Sequence, residues 1–160
     1  MIIYFVRHGR AEEQREGLPD GDRQLTDAGR RQLRAAGPLW RRLNLRPDAV
    51  LSSPLARARQ TAELLVEGIG SSRAAEVDAR LGPGARWSDF AQALADRGDK
   101  RRVALVGHEP DLSLTILLLA GGGAVRMRPG GVACLEFPGV PEPSGGEIAW
   151  LLDPDLYADD

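Results

Sequence analysis

The chain contains two histidines, and each closes a short apolar run. Residues 1–6, Met-Ile-Ile-Tyr-Phe-Val, lead into Arg7-His8-Gly9. Residues 103–106, Val-Ala-Leu-Val, lead into Gly107-His108-Glu109-Pro110. Apolar, β-branched runs of this length, bounded by glycine and charge, read as buried strands. Both histidines therefore stand where a strand leaves the core. In open α/β sheets that carboxyl edge is where ligands bind. An imidazole titrates near neutral pH and can act as nucleophile, acid or cationic donor. A lone histidine is more often a structural side chain, but two in the same setting weaken that reading.

Arginines accompany them. Arg7 precedes His8 and offers a planar, permanently charged fork suited to phosphate or carboxylate. Gly9 leaves room for a ligand to approach the backbone. Arg57 falls in the first turn of a predicted helix that follows a strand, where free N–H groups and the helix dipole favour an anion. Arg59, two residues on, points to a different face and reads as solvated.

The elements that would position these groups can be read along the chain. Residues 2–6 form the first strand, and the polar stretch 12–24 a surface loop. Thr26 caps a helix that begins near Leu25 and buries Leu33, Ala36, Trp40 and Leu43. Gly37-Pro38 breaks or kinks it. Residues 48–52 form a second strand. Pro54 then takes the first position of a helix with Ala58, Ala62, Leu65 and Ile69 as its buried stripe. The spacing predicts a helix over 87–97, a strand over 102–107, a well-buried helix over 110–120, and strands over 132–137 and 147–152. Trp40, Trp87 and Trp150 are core candidates. This alternation argues for an α/β layered fold with a mostly parallel sheet.

Composition narrows the class. A length of 160 residues suits a single domain spanning 1–160. Twenty-one basic residues against 23 acidic ones argue against nucleic acid or an anionic membrane as partner. One cysteine, Cys134 in an apolar stretch, reads as a buried inert thiol. No apolar run is long enough to span a bilayer, and the expected location is the cytoplasm.

Together, Arg7-His8-Gly9, Leu25-Thr26-x-x-Gly29, Ser53-x-x-x-Arg57-x-x-x-Thr61-Ala62 and Gly107-His108 resemble the histidine phosphatase superfamily, also called phosphoglycerate mutase-like. The resemblance spans residues 1 to about 120. The short chain and Gly107-His108-Glu109-Pro110-Asp111-Leu112 look most like the small phosphohistidine phosphatases of the SixA type. The resemblance implies a three-layer α/β/α sandwich and a phosphate pocket of Arg7, His8, Arg57 and His108. His8 would be the nucleophile, Arg7 and Arg57 would hold phosphoryl oxygens, and His108 would donate to them as imidazolium. It implies no cofactor and no metal. The expected substrate is phosphohistidine on a signalling protein.

The chain departs from larger relatives, which carry insertions that cover the pocket and supply an acid. Glu76, Asp78, Asp89 and Glu109 are candidate proton donors. Arg10 stands where some small relatives have an acid. The alternatives are a small-molecule phosphomonoesterase or phosphoglycerate mutase-like enzyme, and a non-catalytic phosphoprotein-binding domain. A metal hydrolase built on His8, His108, Glu109 and Asp111 has the poorest signature, because the histidines lack ligand spacing.

Overall fold

A computed structural model describes residues 1–157. Among the described residues, six strands form one sheet in the order β3-β2-β4-β1-β5-β6. The strands are β1 (Ile2–Arg7), β2 (Ala49–Ser52), β3 (Glu76–Val77), β4 (Arg102–Gly107), β5 (Val132–Glu136) and β6 (Glu147–Leu152). β1, β2, β3 and β4 pair in parallel, while β5 runs antiparallel to both β1 and β6. Five strands thus share one direction, and the sheet is mostly parallel as its sequence pattern requires. β3 falls in a stretch with no readable pattern, because it has two residues and both are exposed.

The five α-helices among the described residues are α1 (Asp27–Ala35), α2 (Gly37–Arg42), α3 (Ala56–Ile69), α4 (Trp87–Ala95) and α5 (Asp111–Ala120). β1 alternates its side chains between the two sheet faces. Tyr4 and Val6 pack with Leu33, Trp40 and Leu65 from α1, α2 and α3. Ile3 and Phe5 pack with Phe90, Leu112 and Ile116 from α4 and α5. These are the two apolar interfaces of a three-layer α/β/α sandwich.

Several local expectations change. Helix α1 ends at Ala35, and Gly37-Pro38 opens a second one, with the proline in the first turn of α2. α3 starts at Ala56 rather than Pro54, because Leu55 is extended with ψ 139° and cannot belong to the helix. α5 begins after Pro110, and it is less buried than expected. Leu114 and Leu118 on its outer face are 60% and 45% exposed. Trp40 is fully buried and meets Tyr157 edge-on, whereas Trp87 and Trp150 are only partly covered. Cys134 is buried, and burial pushes its thiol up to about 12. No helix among the described residues is long and apolar enough to cross a membrane.

Candidate active site

The register of β1 on β4 builds the centre of the site. Arg7 pairs with Gly107, so His8 and His108 leave the sheet side by side. The His8 N–H donates to the Gly107 carbonyl at 3.1 Å, and the two imidazole centroids lie 5.2 Å apart. One hundred residues of chain are thus closed by a single strand pairing.

His8 is held in a defined protonation state. Its Nδ1 lies 2.8 Å from the Gly9 carbonyl, which can only accept, so Nδ1 carries the hydrogen. Arg57 Nε donates to Nε2 at 3.3 Å, so Nε2 presents its lone pair. Burial pushes the His8 pKa down to about 3, with His108, Arg57 and Arg7 adding smaller downward pulls. The ring is therefore neutral at physiological pH, with a bare nitrogen facing cations.

Neighbouring leucines leave little room for a side chain at Gly9. A Cβ there would lie 2.8 Å from Leu33 Cδ1 and 3.2 Å from Leu25 Cδ2. The Gly9 N–H donates to Thr61 Oγ1 at 3.0 Å, and Thr61 donates to the Arg57 carbonyl at 2.7 Å. Thr61 so ties the strand end to the first turns of α3.

Arg57 is the second residue of α3 and only 5% exposed. Nη1 donates to the Asp20 carbonyl at 2.7 Å, and Nη2 to Asp20 Oδ2 at 3.0 Å. Asp20 belongs to a 3₁₀ turn, Asp20–Asp22, inside the polar loop 12–24. Hydrogen bonds from Arg23 and Arg57 hold its carboxyl below the usual range. Sequence reasoning missed Asp20, one of five carboxylates in that loop. Arg59 is exposed, as its spacing predicts.

Arg7 is held by the loop before β5. Its Nη1 donates to the Met127 carbonyl at 2.7 Å, and the Gly130 N–H donates to the carbonyls of Arg7 and His8. Arg126, exposed on that loop, is close enough for its charge to lower the Arg7 pKa. It is a second residue that sequence reasoning did not find. Arg7 Nε and His108 Nδ1 are both buried, and neither has a hydrogen-bond partner among the described residues. Two such unpaired nitrogens on the His8 and His108 strand ends fit an anion.

His108 is 4% exposed and its Nε2 lies 2.7 Å from Ser53 Oγ. Burial, followed by the Arg57 charge, pushes its pKa down to about 4. In the absence of an anion His108 is therefore a neutral imidazole. A bound phosphate dianion would act in the opposite direction.

The four candidate acids are placed differently. Glu109 follows His108, acts electrostatically on Arg7, and accepts from the Ser113 N–H and hydroxyl. Asp78 lies at the sheet edge beside Ser52, but Arg80 holds its carboxylate at 2.6 Å. Glu76 is exposed and pairs with Arg97 at 3.1 Å. Asp89 accepts from the Arg86 N–H at the start of α4. Arg10 contributes its main chain, accepting from the Thr26 N–H at 2.9 Å, while its side chain is exposed. Asp111 accepts from the Gly84 N–H rather than turning to the histidines. Among the described residues no three His, Cys, Asp or Glu side chains gather as a metal site.

Residues 3–82 match the family model of the histidine phosphatase superfamily (branch 1). A protein of unknown role from Picosynechococcus is 35% identical over 127 residues, covering 70% of this chain and 68% of that one. A probable phosphoglycerate mutase, GpmB, of Klebsiella pneumoniae is 31% identical over 139 residues. That match covers 85% of this chain and 64% of the mutase. Among solved structures, the protein histidine phosphatase SixA complexed with tungstate superposes with a TM-score of 0.83 at 25% identity, covering 99% of this chain and all of the other. An α-ribazole phosphatase of Shigella flexneri shares the fold at a TM-score of 0.69 and 20% identity, covering 96% of this chain and 97% of the other.

Proposed function

The chain belongs to the histidine phosphatase superfamily, and from that premise we propose that it hydrolyses phosphohistidine on a protein through a phosphoryl group carried by His8. The observation that carries this reading is the state of His8. Nδ1 is committed to the Gly9 carbonyl, and Nε2 is bare and faces the Arg57 guanidinium. A neutral imidazole with one bare nitrogen among cations is what attack on a phosphate dianion needs.

In the proposed reaction His8 Nε2 attacks phosphorus in line. The new N–P bond forms as the substrate N–P bond breaks, and the departing imidazole takes a proton from solvent. Water then attacks the phosphorylated His8, releasing inorganic phosphate and restoring Nε2. Arg7, Arg57 and His108 bind the equatorial oxygens. Most of the rate enhancement comes from positioning and charge stabilisation, as phosphoryl transfer generally requires.

Substrate class follows from the leaving group. An imidazole leaves as a weak base, with a side-chain pKa near 6.5. An alkoxide is far more basic and needs a positioned acid. Of the four candidate acids, only Glu109 adjoins the proposed cradle, and it is engaged by Ser113. The likeness to the histidine phosphatase SixA supports a protein substrate. The relation to a probable phosphoglycerate mutase favours a small phosphate ester as the second reading.

The test compares kcat/KM for a phosphohistidine protein, p-nitrophenyl phosphate and 3-phosphoglycerate in one buffer. The proposal expects that order, with the alkyl ester worst. If 3-phosphoglycerate wins, the enzyme is a small-molecule phosphatase or mutase and Glu109 is the first acid to substitute. Binding of phosphoprotein without turnover would make it a recognition domain.

A further inference from the structure

His108 is held through one ring nitrogen, while the other, Nδ1, is buried without a partner among the described residues. Its Nε2 meets Ser53 Oγ at 2.7 Å, and the serine is fully buried. Ser53 is placed there by the sheet. It follows β2, and its N–H donates to the Val106 carbonyl on β4, two residues before His108.

The hydrogens in this contact can be counted. A hydroxyl has one hydrogen to give and two lone pairs to accept with. The Leu55 N–H already donates to Ser53 Oγ at 3.3 Å. If Ser53 gives its hydrogen to Nε2, every group in the contact is satisfied. Nε2 is then the bare nitrogen, and Nδ1 carries the ring hydrogen. If instead Nε2–H donated to Ser53, the buried hydroxyl hydrogen would need another acceptor. Nδ1, buried and without a partner among the described residues, would then be a bare nitrogen. A bare Nδ1 repels a phosphoryl oxygen, whereas Nδ1–H binds it.

We infer that Ser53 is a positioning residue that locks neutral His108 in the Nδ1–H tautomer, so that Nδ1 offers its hydrogen to the phosphoryl oxygens. His8 carries its hydrogen on Nδ1 as well, fixed by a backbone carbonyl. The two rings thus share a tautomer but differ in function: His8 presents a bare Nε2, and His108 presents an N–H. The use made of that hydrogen rests on the proposed phosphoryl transfer, whereas the tautomer does not.

The chain has only two histidines, so its ring nitrogens can be resolved directly. Two-bond ¹H–¹⁵N spectra at neutral pH, assigned with a His108→Gln variant, report which nitrogen is protonated. Wild-type protein should show His108 with a protonated Nδ1 and a bare Nε2. Ser53→Ala should lose that pattern and weaken vanadate binding roughly tenfold, as loss of an orienting partner does elsewhere. A wild-type spectrum with Nε2 protonated overturns the inference without any variant. Retention of both the pattern and the vanadate affinity in Ser53→Ala overturns it as well. Failure to hydrolyse phosphohistidine would overturn the proposed function and leave the wild-type spectrum as expected.

Discussion

Asp20 places a carboxylate oxygen 3.0 Å from Arg57 Nη2 and its own main-chain oxygen 2.7 Å from Arg57 Nη1. A guanidinium only 5% exposed therefore has a counter-charge from a surface loop before any anion arrives. Removing one partner of such a pair leaves a buried charge uncompensated. Asp20→Asn should lower Tm in the absence of anion. Vanadate, by supplying the missing negative charge, should then raise Tm more in the variant than in wild type. Thermal melts with and without vanadate check this; an equal or smaller vanadate shift in the variant would contradict it.

Arg57 and Arg59 should separate sharply. Arg57 is buried against His8, and Arg59 is solvated on the next face of α3. Arg57→Ala should cost roughly 2–4 kcal/mol of transition-state stabilisation, read as kcat/KM, as for loss of one oxyanion donor. Arg59→Ala should change kcat/KM little. Similar losses from both would mean that Arg57 does not face the reacting group.

The two histidines should also control stability in mild acid. Each has an ordinary value of 6.5 and is held neutral by burial, at about 3 for His8 and about 4 for His108. The unfolded chain therefore binds protons that the folded chain refuses. Their contribution to stability is full above pH 6.5 and falls as pH drops, toward about 4 for His108 and about 3 for His8. The depressed carboxylates Asp20, Asp48, Asp78 and Asp153 act only lower, below their ordinary 3.8. Denaturant melts between neutral pH and about pH 5 should show this loss, and a His8→Asn/His108→Asn double variant should flatten it. An equally steep loss in the double variant would assign it to other groups.

Gly29 links helix α1 to the site. A Cβ at this position would press on the main chain of Arg10, two residues beyond His8. Alanine is intrinsically the better helix former by about 1 kcal/mol. Overpacking against backbone should exceed that gain, at roughly 1–3 kcal/mol. Gly29→Ala should therefore lower both Tm and kcat/KM. A stabilised variant with full activity would show that the Arg10 turn is free to move.

Much of the scaffold was legible because strands and helices here carry simple patterns. The apolar runs into His8 and His108 marked two buried strands and their ends. What the runs could not show was register, and register is what sets Arg7 opposite Gly107. The groups that hold the site were harder to read. Asp20 is one carboxylate among several in a polar loop, and only the fold brings it to Arg57. The Met127 carbonyl that anchors Arg7 has no side-chain signature at all. Gly9 was legible as a required small residue, but its close packing against Leu33 on α1 was not. The protonation of His108 depends on burial, which no sequence pattern shows and which favours a neutral ring in the absence of an anion.

The central claim is that His8 Nε2 carries the phosphoryl group. It is tested most directly by brief reaction with a ³²P-labelled phosphohistidine protein, rapid quenching, and mapping of the labelled residue. Acid-labile, base-stable label on His8, absent together with turnover in His8→Ala, is the predicted result. Turnover near the wild-type rate in His8→Ala, or label mapped to any other residue, would contradict the account.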